Sequence, residues 1–321
     1  MILVKTPLRI SFFGGGSDIP AYYENFGGEV LSTSIDQYMY TALCRTSMEG
    51  IKVVYNDIEV AKNIDSIKHD RVRECLRYFD VHNHVEISSF AEIPTKGTGL
   101  GSSSTYTVGL INALSRLLDW GMNKFEIAEL ACYIEIEACK EKIGKQDQYA
   151  AAFGGMNHIE FSKDETVVTP VNIPNYTLHD LNDNLMMFYT GVTRSASDIL
   201  AKQSDNTWDK AHLMFQMVAM ARYGISYLKN NELDNFGSLL NDAWHIKKQM
   251  SDGISNPVFD QIYDDAISAG ALGGKILGAG GGGFFLFYVP SIAQNAVRTK
   301  LKHLKEFRFR FENQGSQVVY G

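Results

Sequence analysis

Residues 97–104 read Gly-Thr-Gly-Leu-Gly-Ser-Ser-Ser, and no other stretch restricts the fold as tightly. A strand pattern over 84–90, closed by Pro94, precedes them. A helical pattern over 103–118 follows, with Val108, Ile111, Ala113, Leu114, Leu117 and Leu118 as its apolar positions. Glycine lets backbone N–H groups approach a phosphate with no side chain in the way. The N–H groups and dipole of a helix start favour an anion, and serine hydroxyls add donors. Pro94, Gly97, Thr98, Gly99, Leu100, Gly101, Ser102, Ser103 and Ser104 are therefore the candidate phosphate-binding set. A turn with a serine cap is the competing reading of the same letters. The lysine-bearing signature GxxxxGK[ST] is absent: 269–275 approaches it, but Ala269 replaces the first glycine and Ile276 follows the lysine.

A second run, Gly278-Ala279-Gly280-Gly281-Gly282-Gly283, has the form GxGxxG. A dinucleotide fingerprint needs a helix directly after it, whereas Phe284 to Tyr288 read as a strand. A tight backbone approach to a substrate or to the 97–104 loop fits better, and Gly280 and Gly281 are carried as substrate-binding candidates. A third run, Gly14-Gly15-Gly16, ends a strand in which Leu8, Ile10 and Phe12 alternate with Arg9 and Ser11, a half-buried pattern.

Strand patterns recur over 30–42, 51–55, 185–189, 275–277 and 284–289, and the alternation Phe307, Phe309, Phe311 predicts a last one. Helical patterns cover 124–141, 209–248 with a break near Asn230-Asn231, and 292–304. Strands, then helices, then strands predict an α+β fold. The polar, turn-rich stretch 170–184 divides the chain into domains at 1–175 and 176–321.

With 321 residues, 45% hydrophobic and 21% charged, the chain has ample material for a core. Its net charge of -7 argues against general nucleic-acid or membrane-surface binding, but leaves anionic substrates open to local donors. The four cysteines form no CxxC pair or zinc spacing, which fits free thiols in a reducing compartment. A start without a basic, apolar leader and the lack of a spanning stretch lead to the expectation of a cytoplasmic protein.

Three segments in order resemble the GHMP kinase family: 6–18, 94–104 and 275–283. Within it, the opening Phe13-Gly14-Gly15-Gly16-Ser17-Asp18 and the run from Gly144-Lys145-Gln146-Asp147 to Gly154-Gly155 are similar to the D-glycero-D-manno-heptose 7-phosphate kinase subgroup. The resemblance implies an N-terminal domain like domain 2 of ribosomal protein S5 and a ferredoxin-like C-terminal domain, with the active site in the cleft between them. It implies ATP and Mg2+ as cofactors, a small-molecule sugar phosphate as partner, and transfer to the anomeric hydroxyl on a route to nucleotide-activated heptose for surface glycans. Other GHMP sugar kinases, fucokinase-like or galactokinase-like, and a non-catalytic sensor on the same fold are the alternatives. A homodimer is compatible with the reading.

The same resemblance distributes roles. Asp147 matches the base, which accepts the proton of the attacking hydroxyl. Arg9 matches the basic residue of the first motif, which supports the charged base and the group in transfer. Glu135, nine residues before Gly144, and Ser103 match the metal contacts. Glu137 is the rival of Glu135, but two residues along a helix are about 200° apart, so the two cannot share one site. Asp18 matches a sugar-binding aspartate, with Gly15, Gly16 and Ser17 beside it. Gly14-Gly15-Gly16 stands where galactokinases carry Gly-Glu-His, which removes two polar side chains and predicts a roomier site. Lys145 and Arg194 are the candidates for the distal phosphate of a sugar phosphate.

Overall fold

The computed structural model describes residues 1–94, 97–193 and 210–321. The first sheet is built on two long antiparallel strands, β1 (Ile2–Phe13) and β2 (Gly28–Arg45), joined through the glycine turn and the short helix α1 (Pro20–Phe26). Beyond β2 come β5 (Val85–Ala91), β3 (Ile51–Val54) and β4 (Ile58–Ala61), with β3 parallel to β5. The other end of β2 pairs with β6 (Met156–Phe161), which pairs with β7 (Thr166–Pro170).

Helices α2 (Asp70–Tyr78), α3 (Ser102–Leu117), α4 (Lys124–Cys132) and α5 (Gln146–Phe153) cover one face of this sheet. α4 starts on a capping box. The Asn123 side chain accepts from the Phe125 and Glu126 amides, and Glu126 accepts from the Asn123 amide. It then runs into a wider π-helical turn, Tyr133–Ala138, where the helical pattern over 124–141 predicted regular helix. Such turns insert a residue and re-aim side chains. Here Glu135 turns inward and Glu137 is exposed.

The second sheet has the order β11 (Lys305–Phe307), β8 (Leu185–Tyr189), β10 (Phe284–Tyr288), β9 (Gly273–Ile276), antiparallel throughout. That order and the helical crossovers are ferredoxin-like, as expected. The crossovers contain α7 (Ala211–Lys229), α8 (Leu233–Lys248) and α9 (Pro257–Ser268) before β9, and α10 (Gln294–Lys300) after β10. The helical pattern over 209–248 breaks where the sequence indicated. The turn-rich stretch 170–184 instead contains α6 (Asn175–Asn184).

Two sequence expectations change. β1 is not half-exposed: Leu8, Arg9, Ile10, Ser11 and Phe12 are all buried. Leu8, Ile10 and Phe12 belong to the core of the second half, where Phe12 meets Phe236 edge-on at 5.2 Å between ring centroids. The opposite face carries Arg9 and Ser11 toward the site. The alternation over 307–311 forms a strand only to Phe307, with an isolated bridge from Phe311 to Ile35. The last strand, β12 (Gln317–Tyr320), crosses back to lie beside β1. The segment 176–321 therefore cedes its end to the first sheet, and β1 and β2 are shared between the cores. Among the described residues no helix is long and apolar enough to cross a membrane.

Candidate active site

The 97–104 loop leaves β5 and enters α3. Gly97, Gly99 and Gly101 all have positive φ, alternating along the chain. Gly101 is the N-cap of α3 with φ 73° and offers no side-chain acceptor to the first turn. A side chain there would press on Arg9 and Asp147, so only glycine brings the helix start this close to that pair. The fit to a triphosphate is good: a long helix start, backbone donors, and no side-chain cap competing for them.

The glycine run 278–283 is the second wall of this loop. A Cβ on Gly278 would run into Gly99, and one on Gly99 into the Leu277 carbonyl. The Phe284 amide donates to Thr98 O at 3.3 Å. Of the two readings of this run, approach to the first loop is the one the structure adopts. Gly280 packs on Ile254, and the Gly281 amide donates to Ile254 O at 2.9 Å. That amide is spent inside the protein, which corrects the assignment of Gly281 as a substrate donor.

Arg9 and Asp147 meet face to face. Arg9 Nε donates to Asp147 Oδ1 and Nη2 to Oδ2, each at 2.8 Å, while Nη1 donates to Gly99 O at 2.6 Å. The Arg9 side chain is 4% exposed and that of Asp147 23%. A carboxylate has about four acceptor positions, so the fork leaves Asp147 room to take a further proton donor from the cleft side. The guanidinium thus orients the carboxylate and ties it to the phosphate loop.

Asp18 is buried beside them. Its carboxylate accepts from the Gly16 amide at 2.9 Å, the Gln146 amide at 3.1 Å and Gln146 Nε2 at 3.3 Å. Burial raises its pKa, and the charge of Asp147 raises it further. Gly15 lies between Ser11 and Gln146, where a side chain would touch both, and the buried Ser11 Oγ and Gln146 Oε1 have no partner. Unsatisfied buried polar atoms ask for a ligand or water. Ser17, by contrast, donates to Glu29 O at 3.1 Å and accepts from the Glu29 amide at 3.0 Å. It is fully buried and pins the turn to β2 instead of reaching a substrate. The Gly16 amide is likewise taken by Asp18.

Lys145 donates its amide to Asp18 O at 3.2 Å and lays its ammonium 5.4 Å from the centre of the Tyr23 ring. Arg194 lies outside the described residues.

Glu135 departs most from expectation. It is fully buried and accepts from Arg71 Nε at 2.8 Å, Ser104 Oγ at 2.7 Å, Thr107 Oγ1 at 2.7 Å and Gln148 Nε2 at 2.6 Å. These donors fill its acceptor positions, and the guanidinium already balances its charge. Ser103, its expected metal-binding partner, is exposed; Ser104 makes the contact instead. Glu135 is not free to join Ser103 on a metal ion in this arrangement, which corrects that half of the assignment, and only the exposed Ser103 is placed to meet one. Glu135 ties α2, α3 and α5 together, directly behind the phosphate loop and beside Asp147.

Sequence reasoning missed Arg71, Gln146, Gln148 and Ser11. Gln146 and Gln148 flank Asp147 in a run already singled out. Arg71 heads a helical pattern, Val72, Cys75, Leu76 and Phe79.

Comparison with known proteins places the chain in a family. The family models for the GHMP kinases N-terminal domain and the GHMP kinases C-terminal region match residues 67–155 and 225–304. A D-glycero-alpha-D-manno-heptose 7-phosphate kinase of Campylobacter jejuni is 33% identical, with 97% of each chain covered. A crystal structure of a putative sugar kinase from Campylobacter jejuni is 28% identical with a TM-score of 0.75, over 99% of this chain and 97% of that one. The crystal structure of a D-glycero-D-manno-heptose 1-phosphate kinase from Bacteroides thetaiotaomicron shares the fold over 100% of both chains, with a TM-score of 0.83 at 24% identity. With a glycine loop on a helix start, an arginine-held aspartate at its edge and this full-length similarity, the chain belongs to the GHMP kinase family, phosphotransferases that use an alcohol group as acceptor.

Proposed function

We propose that the chain transfers the γ-phosphoryl group of ATP to the anomeric hydroxyl of D-glycero-D-manno-heptose 7-phosphate, giving the 1,7-bisphosphate for nucleotide-activated heptose. The observation that carries this reading is the Arg9–Asp147 fork touching Gly101 of the phosphate loop. It puts a proton acceptor at the edge of a phosphate cradle. The 33% identity to a heptose 7-phosphate kinase supports the choice of sugar.

Bound at 97–104, ATP with magnesium supplies the phosphoryl group and screens its charge. The chain's own residues do the rest. The α3 start and the loop amides hold the phosphates. Asp147 accepts the proton of the acceptor hydroxyl while that oxygen bonds to phosphorus and the bond to ADP breaks. Arg9 keeps Asp147 aimed and faces the developing charge. Asp18, Gln146 and Ser11 line the acceptor side and bind sugar hydroxyls. Ser103 is the loop hydroxyl left facing outward for the metal.

Purified protein with ATP and magnesium is screened against heptose 7-phosphate, heptose 1-phosphate, galactose, fucose, mevalonate and homoserine, with ADP release as the signal and NMR of the product as the assignment. Heptose 7-phosphate is expected to give the highest kcat/KM and a new phosphate at the anomeric carbon. Turnover of another sugar alone overturns the substrate. ATP binding without any turnover makes the protein a sensor.

A further inference from the structure

Two lysines are buried near the glycine seam, and they differ in how their charge is met. Lys275 on β9 is 2% exposed and donates to the carbonyls of Ser11 and Phe12, each at 2.9 Å. It staples the second sheet to the end of β1. Lys247, in the last turn of α8, is 5% exposed and donates to a single acceptor, Gly278 O at 2.7 Å. An ammonium carries three donors. No carboxylate lies within ion-pairing distance of Lys247 among the described residues, although the charges of Asp18, Asp147 and Arg9 reach it. A buried charge without a counter-ion is costly, and folds keep one where a ligand completes it.

The position of Lys247 says which ligand. Gly278 packs on Gly99, and Gly99 O accepts from Arg9. Arg9 and Lys247 therefore hold the two sides of one seam, each through a carbonyl. Arg9 stands on the side of the base, and Lys247 on the side of the second domain. We infer that Lys247 is a phosphate-binding residue of this active site, using its unspent donors on a phosphoryl oxygen of the reacting pair. That oxygen belongs either to the group in transfer or to the acceptor's own phosphate. Burial pushes Lys247 down to about 8, with Asp18 and Asp147 opposing and Arg9 assisting; an incoming phosphate restores its charge.

The inference rests on the kinase reading, and the test separates the two. Lys247→Met and Lys247→Arg are compared with wild type in the full chain. Melting curves come first. A lysine that serves only the fold loses stability as methionine, whereas a ligand-binding lysine yields a variant at least as stable as wild type. Kinetics follow with heptose 7-phosphate and unphosphorylated heptose. Lys247→Met is expected to lose at least 100-fold in kcat/KM, with partial rescue by arginine. A fall in kcat at constant KM assigns the group in transfer. A rise in KM for the phosphorylated sugar only, with loss of preference over the unphosphorylated one, assigns the acceptor's phosphate. Titration with a non-hydrolysable ATP analogue and with heptose 7-phosphate reads the site without turnover. If wild type binds these ligands but transfers nothing, the kinase reading fails while weaker binding by Lys247→Met still supports this one. Unchanged affinity for both ligands and unchanged kinetics overturn it.

Discussion

Two arginine–carboxylate pairs lie close to the phosphate loop, and their surroundings give them opposite uses. Arg9–Asp147 is open on one side, with 23% of the aspartate side chain exposed. Arg71–Glu135 is sealed: the glutamate has no exposure, and Ser104, Thr107 and Gln148 complete its shell. A carboxylate with unused acceptor positions facing a cleft can take a proton from a substrate. One with every position filled can only hold its neighbours still. The residue type is the same in kind; what differs is the number of donors already bound and the access of water.

Breaking the open pair has its largest effect on chemistry. Asp147→Asn is expected to lower kcat by about 10²–10⁴-fold. Full activity in that variant removes Asp147 from the base role. Breaking the sealed pair has its largest effect on the fold. Glu135→Ala leaves Arg71 to Glu141 and takes the carboxylate acceptor away from Ser104, Thr107 and Gln148, a loss of about 1–3 kcal/mol in denaturant unfolding for each buried donor left unsatisfied. A stable Glu135→Ala protein whose only defect is a raised magnesium requirement would restore Glu135 as a metal contact.

A third pair sets the scale for exposed ion pairs. Arg222 on α7 forks onto Glu29 of β2, and His158 Nε2 lies 2.9 Å from the same carboxylate. The Arg222 side chain is 69% exposed. Burial alone would raise Glu29, but the hydrogen bonds from His158 and Arg222 pull it down to about 2. A carboxylate lowered on folding adds stability that is full above its ordinary value and is lost as pH falls through about 2. Between those limits the unfolded chain binds the extra proton. Glu29→Gln should therefore flatten the acid side of the stability curve, with an effect on stability smaller than that of breaking the sealed pair. An identical acid limb in the variant would show that the pair adds nothing.

Much of the first motif was legible because it depends on local chemistry. Alternating glycines before a helical pattern predict a positive-φ loop at a helix start wherever they occur, and Gly97, Gly99 and Gly101 adopt it. That Glu135 and Glu137 face different ways followed from helical rotation, whereas the inward turn of Glu135 belongs to the π-helical turn. Asp147 and Arg9, placed by resemblance, do meet. The errors have one physical origin. Ser17, Gly281 and Glu135 carry groups that bind ligands in other settings, and each is satisfied here by a partner distant in sequence: Glu29, Ile254 and Arg71. Periodicity does not count donors across a fold. β1 was misread as half-buried for a related reason, since the second half of the chain covers its apolar face while Gly99 and Asp147 close over Arg9 on the other.

Lys247 marks the boundary between the two kinds of knowledge. It falls on the apolar stripe of α8 with Phe236, Leu240 and Trp244, and a charge on such a stripe is visible in the letters alone. Sequence determined the glycine loops and the order of most elements, because each depends on neighbours a few residues away. Tertiary structure decided which charges are sealed and which stay open, because that depends on donors and cover supplied from other elements, 13 to 138 residues along the chain.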